Sequence, residues 1–310
     1  SLFALVVFWL TFEYVHLNWS ISWPWLTLGN GLSAFTSYIQ WYEYTGVGGG
    51  SLLIWIINLL VFRSMVSLKE GKTKTAFYLS GFALFLIALL VFISMQLLPQ
   101  KNKVAKKTNV VVVQPNIDPY QKFETLTTAD QVNRLVQLSV NAIDSNTVMV
   151  IWPETAMSAA DWQDNIKVNP YYQPIFQFVA AHPSIQLISG IETFKQYGNI
   201  AATRTARKTN DGIYYDAFNA AVRLQSNQEP VYYNKSKLVP GVESLPSFLR
   251  FMAPVFEQFG GSTGGYGVSD TAVVFRDPIA QLNAAPIICY ESIYGEYVTN
   301  YVRSGASMLA

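Results

Sequence analysis

Histidine, cysteine and charge are all scarce in this sequence. Among 310 residues there is one cysteine, Cys289, and there are two histidines, His16 and His182. A single cysteine excludes an intrachain disulfide framework and a cysteine-rich metal site. His16 lies in an apolar N-terminal run and His182 precedes Pro183 in a loop-like stretch, so a Ser-His-Asp or Cys-His group has little to draw on. Charged residues make up 13% of the chain, against about 25% in ordinary soluble domains. The net charge of +1 leaves no electrostatic footprint for nucleic acid. The glycine-rich stretch Gly260-Gly261-Ser262-Thr263-Gly264-Gly265 lacks the Gly-Lys-Ser/Thr ending of a phosphate-binding loop. No residue pattern calls for a metal or a cofactor.

Apolar residues are abundant instead. They form 51% of the chain, mean hydropathy is +0.21, and the excess lies in the first hundred residues. The pattern predicts a membrane region over residues 1–103 and a globular domain over 104–310. Within the first, helices are expected at about 2–17, 48–66 and 76–98. The span from Ala76 to Leu98 carries no charge, and Arg63 stands near the end of the preceding one, where it can snorkel. Residues 19–45 are rich in Trp and Tyr and broken by Pro and Gly, as in Trp23-Pro24-Trp25, which predicts an aromatic arm at the membrane interface. Arg63, Lys69, Lys72 and Lys74 on one side balance Lys101, Lys103, Lys106 and Lys107 on the other, so charge does not orient the spans. The chain opens mid-pattern, and Ala306 to Ala310 reads as the start of a strand, which together predict a fragment.

From Asn109 onward the pattern becomes that of an α/β fold. Val110 to Val113 and Val148 to Trp152 read as strands around a helix at Ala129–Ile143, whose stripe is Val132, Leu135, Val136, Val140 and Ile143. Further strands are expected at 186–191, 217–224, 230–233, 272–275 and 286–289, and helices at 171–181 and 293–303.

Three stretches place reactive groups at strand ends. Glu154 follows the buried strand ending at Trp152; a carboxylate there, against an apolar wall, can serve as a base near neutrality. Lys235 and Lys237 follow the strand ending at Tyr233. Cys289 follows Pro286-Ile287-Ile288, where the spacing predicts a strand handing over to a helix, an arrangement that favours thiolate. A thiol, a carboxylate and an ammonium suffice for acyl transfer without histidine. The alternatives are a buried structural cysteine, a surface carboxylate and a solvated lysine turn.

Taken together, these motifs resemble those of the nitrilase (carbon–nitrogen hydrolase) superfamily, whose catalytic set is Glu, Lys and Cys in that order. Within it, they are similar to those of the apolipoprotein N-acyltransferases. The matching segments are Trp152-Pro153-Glu154-Thr155-Ala156, Asn234-Lys235 with Leu238-Val239-Pro240, Glu243, Ile288-Cys289-Tyr290-Glu291, and Gln114-Pro115-Asn116-Ile117. The resemblance implies an αββα sandwich, C-terminally incomplete, attached to transmembrane helices of a bacterial inner membrane, with the sandwich periplasmic. It implies Glu154 as base, Lys235 rather than Lys237 as oxyanion stabiliser and Cys289 as nucleophile. Glu243, Glu291, Tyr290 and Phe123 stand in support, Phe123 where the family often has tryptophan. Pro240-Gly241-Val242-Glu243 replaces the family's Pro-Phe-Gly-Glu. The implied reaction moves an acyl chain from a phospholipid to the α-amine of a diacylglyceryl-cysteine on an apolipoprotein. The rivals are a membrane-tethered amidase or nitrilase and a non-catalytic membrane scaffold. The segment from Gly260 to Gly267 is a candidate lid.

Overall fold

The computed structural model describes residues 2–98, 108–118, 126–252, 255, 265–277, 280 and 282–310. The chain divides into two compact units, residues 1–105 and 106–310.

The first unit is helical. Helix α1 (Leu2–Asn18) is followed by short 3-10 stretches at Pro24–Leu26 and Leu28–Tyr38, then by α2 (Tyr42–Lys69) and α3 (Thr73–Leu97). The turn between α2 and α3 is closed by Gly71 in the left-handed region, φ 74°. Both helices are long and apolar enough to cross a membrane. Polar contacts between them are few: the Ser64 hydroxyl donates to the Ala76 carbonyl at 2.9 Å and lies 2.9 Å from Ser80 Oγ.

The α2 stretch is interrupted at Gly46, whose φ of 62° and ψ of −169° are not helical. A short turn over residues 42–45 therefore precedes the long apolar helix, which resumes beside the expected start at Gly48. The aromatic arm is folded onto α2 and α3. The Tyr42 hydroxyl donates to the Gly29 carbonyl at 2.8 Å, Gly29 N–H to Ser51 Oγ at 2.9 Å, and Ser94 Oγ to the Tyr38 carbonyl at 2.7 Å. A side chain at Gly50 would lie 1.8 Å from the Tyr42 hydroxyl, so this contact requires glycine. Glu13, buried on α1, accepts from Trp9 Nε1 and from Leu28 N–H, each at 2.9 Å. His16 accepts the Trp23 N–H at 3.0 Å. Glu13 and His16 thus both help to fix the arm.

The second unit is built on a seven-stranded mixed sheet. Its elements are β1 (Asn109–Val112), α4 (Thr128–Ala142), β2 (Thr147–Ile151), β3 (Met157–Trp162), α5 (Gln173–Ala181), β4 (Gln186–Gly198), β5 (Arg207–Lys208), β6 (Tyr214–Leu224) and β7 (Val231–Asn234). The order is β1-β2-β4-β6-β5, with β3 beside the far half of β4 and β7 beside β6. The strands β1, β2 and β4 are parallel, while β6 is antiparallel to β4 and β7 to β6. Alternation divides the side chains between two cores. Val150, Leu187 and Val222 face Val132, Leu135, Ile175 and Phe178 of α4 and α5. Their neighbours Met149, Ile188 and Ala221 face Phe275, Ala284, Ala285 and Tyr301. Those last residues belong to or flank a small parallel sheet, β8 (Ala284–Ala285) with β9 (Met308–Leu309), and helix α6 (Gly295–Arg303). The layers run helix, sheet, sheet, helix: an αββα sandwich.

Two expected strands take another form. Residues 272–275 contribute only the isolated pairing of Phe275 with Ala284. The strand expected at 286–289 lies instead at Ala284–Ala285. Pro286 has no N–H to give a ladder, and the Ile288 N–H is taken by the Glu291 carboxylate at 2.9 Å. The N-terminal α4 cap is Thr127, whose hydroxyl accepts the Asp130 N–H at 3.2 Å. His182 closes α5, its Nδ1 lying 2.8 Å from the Phe178 carbonyl.

Candidate active site

Glu154 owes its place to an interruption in the sheet. Strands β2 and β3 both lie along β4, Ile151 opposite Ile188 and Met157 opposite Ile191. The five residues between them bulge out because Pro153 cannot donate to the ladder. The bulge is pinned by Trp152 N–H to the Ile188 carbonyl at 2.8 Å and by Gly190 N–H to the Pro153 carbonyl at 3.1 Å. Thr155 takes a left-handed conformation, φ 51°. A Cβ at Gly190 would stand 2.5 Å from both Glu154 Cα and Thr155 N. Only glycine permits this approach.

Lys235 follows β7, and its N–H donates to the Asn219 carbonyl of β6 at 2.9 Å. Its side chain is 1% exposed and its Nζ donates to Glu154 Oε1 at 3.1 Å and to Glu243 Oε1 at 2.9 Å. Burial disfavours the ammonium, but the Glu154 and Glu243 carboxylates outweigh it and hold the pKa above the usual lysine value. Glu243 is fixed by its second oxygen, which accepts the Val239 N–H at 2.8 Å. The departure at Pro240-Gly241-Val242 therefore still delivers Glu243 to Lys235, with Gly241 left-handed at φ 86°. Glu154 thus has polar partners, Asn219 and Lys235, beside the apolar groups expected around it.

Cys289 is exposed and opens a 3-10 turn, Cys289–Ile293; α6 begins only at Gly295. Its φ is 47°, a strained value for a non-glycine residue. The thiol and Glu154 line one cleft of about 250 Å³, with Gln114, Ser189 and apolar groups such as Ile151, Ile188 and Ala221. The expected ease of ionisation is overturned. Partial burial raises the thiol pKa, the Glu154 and Glu243 charges add to the rise, and Lys235 and the Tyr290 N–H only partly offset them. The short 3-10 turn supplies too little helix dipole to reverse this.

Glu291 is fully buried and lies apart from the lysine. It accepts N–H groups from Ile288 at 2.9 Å, Ser236 at 2.6 Å and Lys237 at 3.4 Å, and also the Tyr233 hydroxyl. Burial raises its pKa in spite of these donors. Tyr290 is buried and packs edge-on to Tyr294, centroids 5.3 Å apart. Lys237 turns away, its Nζ 5.3 Å from the Tyr294 ring centroid. Phe123 lies outside the described residues, as does most of the candidate lid; Gly265 to Gly267 is tied down by Tyr266 N–H to the Glu243 carbonyl at 3.2 Å and Gly267 N–H to the Ala217 carbonyl at 2.8 Å.

The sequence reading missed Asn219 and Gly190. Asn219 Nδ2 lies 2.7 Å from Glu154 Oε1 and 2.7 Å from Glu243 Oε1. The available signal was an amide between the apolar residues of a strand covered on both faces, Ala217-Phe218-Asn219-Ala220-Ala221.

A family profile described as carbon-nitrogen hydrolase matches residues 109–310. The chain belongs to the carbon–nitrogen hydrolase family. Residues 1–60 match a second profile, the apolipoprotein N-acyltransferase N-terminal domain. An apolipoprotein N-acyltransferase of Chlorobaculum tepidum is 27% identical over 324 residues, covering 100% of this chain and 58% of the relative. An apolipoprotein N-acyltransferase 2 of Treponema denticola is 22% identical, covering 99% of this chain and 58% of its own length. An apolipoprotein N-acyltransferase of Rickettsia prowazekii is 23% identical, covering 94% and 53%. The chain thus spans a little over half the length of these relatives.

Proposed function

We propose that this carbon–nitrogen hydrolase family member is an N-acyltransferase of lipoprotein maturation. The observation that carries the proposal is that Glu154 and Cys289 line one cleft while the Lys235 ammonium bonds Glu154 at 3.1 Å. The relatives' names and the N-terminal match supply the substrate class. In this reading residues 1–103 are a multi-pass membrane region of a bacterial inner membrane and residues 104–310 a periplasmic catalytic domain. Both substrates are lipids, which accounts for apolar helices and a hydrolase-like sandwich in one chain.

The donor is a phospholipid. Cys289 Sγ attacks the ester carbonyl, forming the S–C bond as the thiol proton passes to Glu154. Both donors to Glu154 among the described residues use Oε1, so Oε2 serves as the accepting oxygen. Two of the three Lys235 protons are held by Glu154 and Glu243; in this reading the third is the one given to the developing oxyanion. Collapse breaks the ester C–O bond, Glu154 returns its proton to the leaving alkoxide, and a lysophospholipid departs. The neutral α-amine of a diacylglyceryl-cysteine then attacks the thioester. Glu154 takes an amine proton and returns it to sulfur, leaving an amide and a free thiol. The raised thiol pKa fits this order, because the resting thiol keeps its proton until a base removes it.

Intact-mass measurement of full-length protein mixed with phospholipid tests the reading. The expected product is one acyl adduct on Cys289, removed by hydroxylamine and consumed by a diacylglyceryl peptide. An active protein that never carries the adduct, and that hydrolyses small amides, overturns it in favour of a membrane-tethered amidase.

A further inference from the structure

Four side chains meet at the centre of the site, and only three of them have a place in the chemistry above. The fourth is Asn219. It is 5% exposed, sits in the middle of β6 and places its amide nitrogen 2.7 Å from Oε1 of each of two carboxylates. Lys235 bonds the same two oxygens from its own side. The result is a closed square of two acceptors and two donors. The square has a second tie, because the Asn219 backbone carbonyl receives the Lys235 N–H at 2.9 Å.

We propose that Asn219 is a positioning residue for the acyl-transfer reaction: its amide holds Glu154 and Glu243 in a single arrangement, so that Glu154 presents one defined oxygen to the Cys289 thiol.

The physical argument is one of competing forces. Glu154 and Glu243 carry like charge and share one ammonium. A lysine is a point charge on a flexible stem, which attracts two carboxylates without fixing their planes. An amide is planar and carries two N–H groups at a fixed angle, so it converts that attraction into a direction. Asn219 can do this because its backbone is locked on both sides: β6 pairs Asn219 with Glu192 of β4, and the adjacent Ala220 with Asn234 of β7. Asn219 donates to the carboxylates through neutral N–H groups, so it adds no charge to a site that already holds two anions and a cation. An aspartate of the same shape adds a third anion and has no N–H to give.

The proposal rests on the acyl-transfer reading, and the test separates the two. Cys289 alkylation by iodoacetamide, followed on the peptide that carries it, needs no lipid. It is measured in full-length wild type, Asn219→Ala, Glu154→Gln and the double variant, each checked for an unchanged melting transition. The expected result is a several-fold change in alkylation rate on Asn219→Ala in the wild-type background and none in the Glu154→Gln background, since the residue acts through Glu154. In the acyl-loading assay, kcat falls roughly 10- to 100-fold, the KM for phospholipid stays put, and Asn219→Asp is slower than Asn219→Ala. Equal alkylation effects in both Glu154 backgrounds, or wild-type alkylation in a folded Asn219→Ala, overturns the role. Should wild type load no acyl chain, the acyltransferase reading fails, while the alkylation cycle still decides the case of Asn219.

Discussion

Glu291 receives the backbone N–H of Ser236 at 2.6 Å, so the residue two places after the candidate nucleophile grips the residue one place after the candidate lysine. The same carboxylate holds Ile288 N–H at 2.9 Å, on the other side of Cys289. The carboxylate thus ties two loops together, and we expect it to act as a clamp. Glu291→Gln keeps one acceptor oxygen and adds an NH2 group facing backbone donors. We expect a loss of about 1–3 kcal/mol of stability from the buried groups left unpaired, read as a lower urea midpoint at unchanged slope. A midpoint equal to that of wild type would remove the clamp from the account.

Thiol reactivity should follow the charges around Cys289. The rate of alkylation is expected to rise with pH through a midpoint above that of an ordinary cysteine, because burial and two carboxylates disfavour the thiolate. Glu154→Gln removes one of those negative charges and should move the midpoint down. Lys235→Met removes the opposing positive charge and should move it up. A wild-type midpoint below the ordinary cysteine value would contradict the electrostatics described for the site.

Space is as restrictive as charge at Gly190. A methyl group there would meet Glu154 Cα and Thr155 N at 2.5 Å, and both are backbone atoms that cannot swing aside. Gly190→Ala is expected to cost about 1–3 kcal/mol or more through overpacking. It should also slow acyl loading more than an equally destabilising change elsewhere in β4. Equal loading at matched stability would show that the Glu154 bulge tolerates displacement.

The reaction itself separates four side chains. Cys289→Ser should abolish the adduct, since a hydroxyl is far harder to ionise than a thiol. Glu154→Gln should block loading, and Lys235→Ala should slow both half-reactions by roughly a hundredfold or more, the scale for losing an oxyanion donor. Lys237→Ala should have little effect, because Lys237 Nζ rests over the Tyr294 and Tyr297 rings rather than on the carboxylates. Single-turnover kinetics with a labelled acyl chain would distinguish these outcomes.

The sequence was informative where chemistry and periodicity coincide in a short stretch. Glu154, Lys235 and Cys289 each follow an apolar run, and α4, with its stripe at Val132, Leu135 and Val136, was recognisable from spacing alone. What was not legible depends on distant pairing. Strand β3 holds Ser158, Asp161 and Trp162, a mixture that does not resemble a strand until β4 lies beside it. The strand expected at Pro286 to Cys289 looked apolar enough, but the sequence does not reveal that Glu291 claims the Ile288 N–H. The direction of the Cys289 shift was lost for a related reason: a local argument from the following helix omitted the partial burial of the thiol and the two carboxylates brought in after β2 and after β7. Asn219 was invisible because an amide in a buried strand has a purpose only once its partners, 65 and 24 residues away, are in place.

The interruption between β2 and β3 also sets a limit on how this protein can change. Glu154 hangs between two stretches of backbone that are both zipped to the same neighbouring strand, one before it and one after. Substitutions within Trp152 to Ala156 alter what the bulge presents, but a one-residue insertion or deletion has no slack to absorb it. Either β3 slips along β4, turning its inward and outward faces over, or the carboxylate leaves its station. A survey of tolerated insertions across the sandwich should therefore find a gap at these five positions, flanked by more permissive turns. The number of residues between the two strands is as much a part of the chemistry as the glutamate itself.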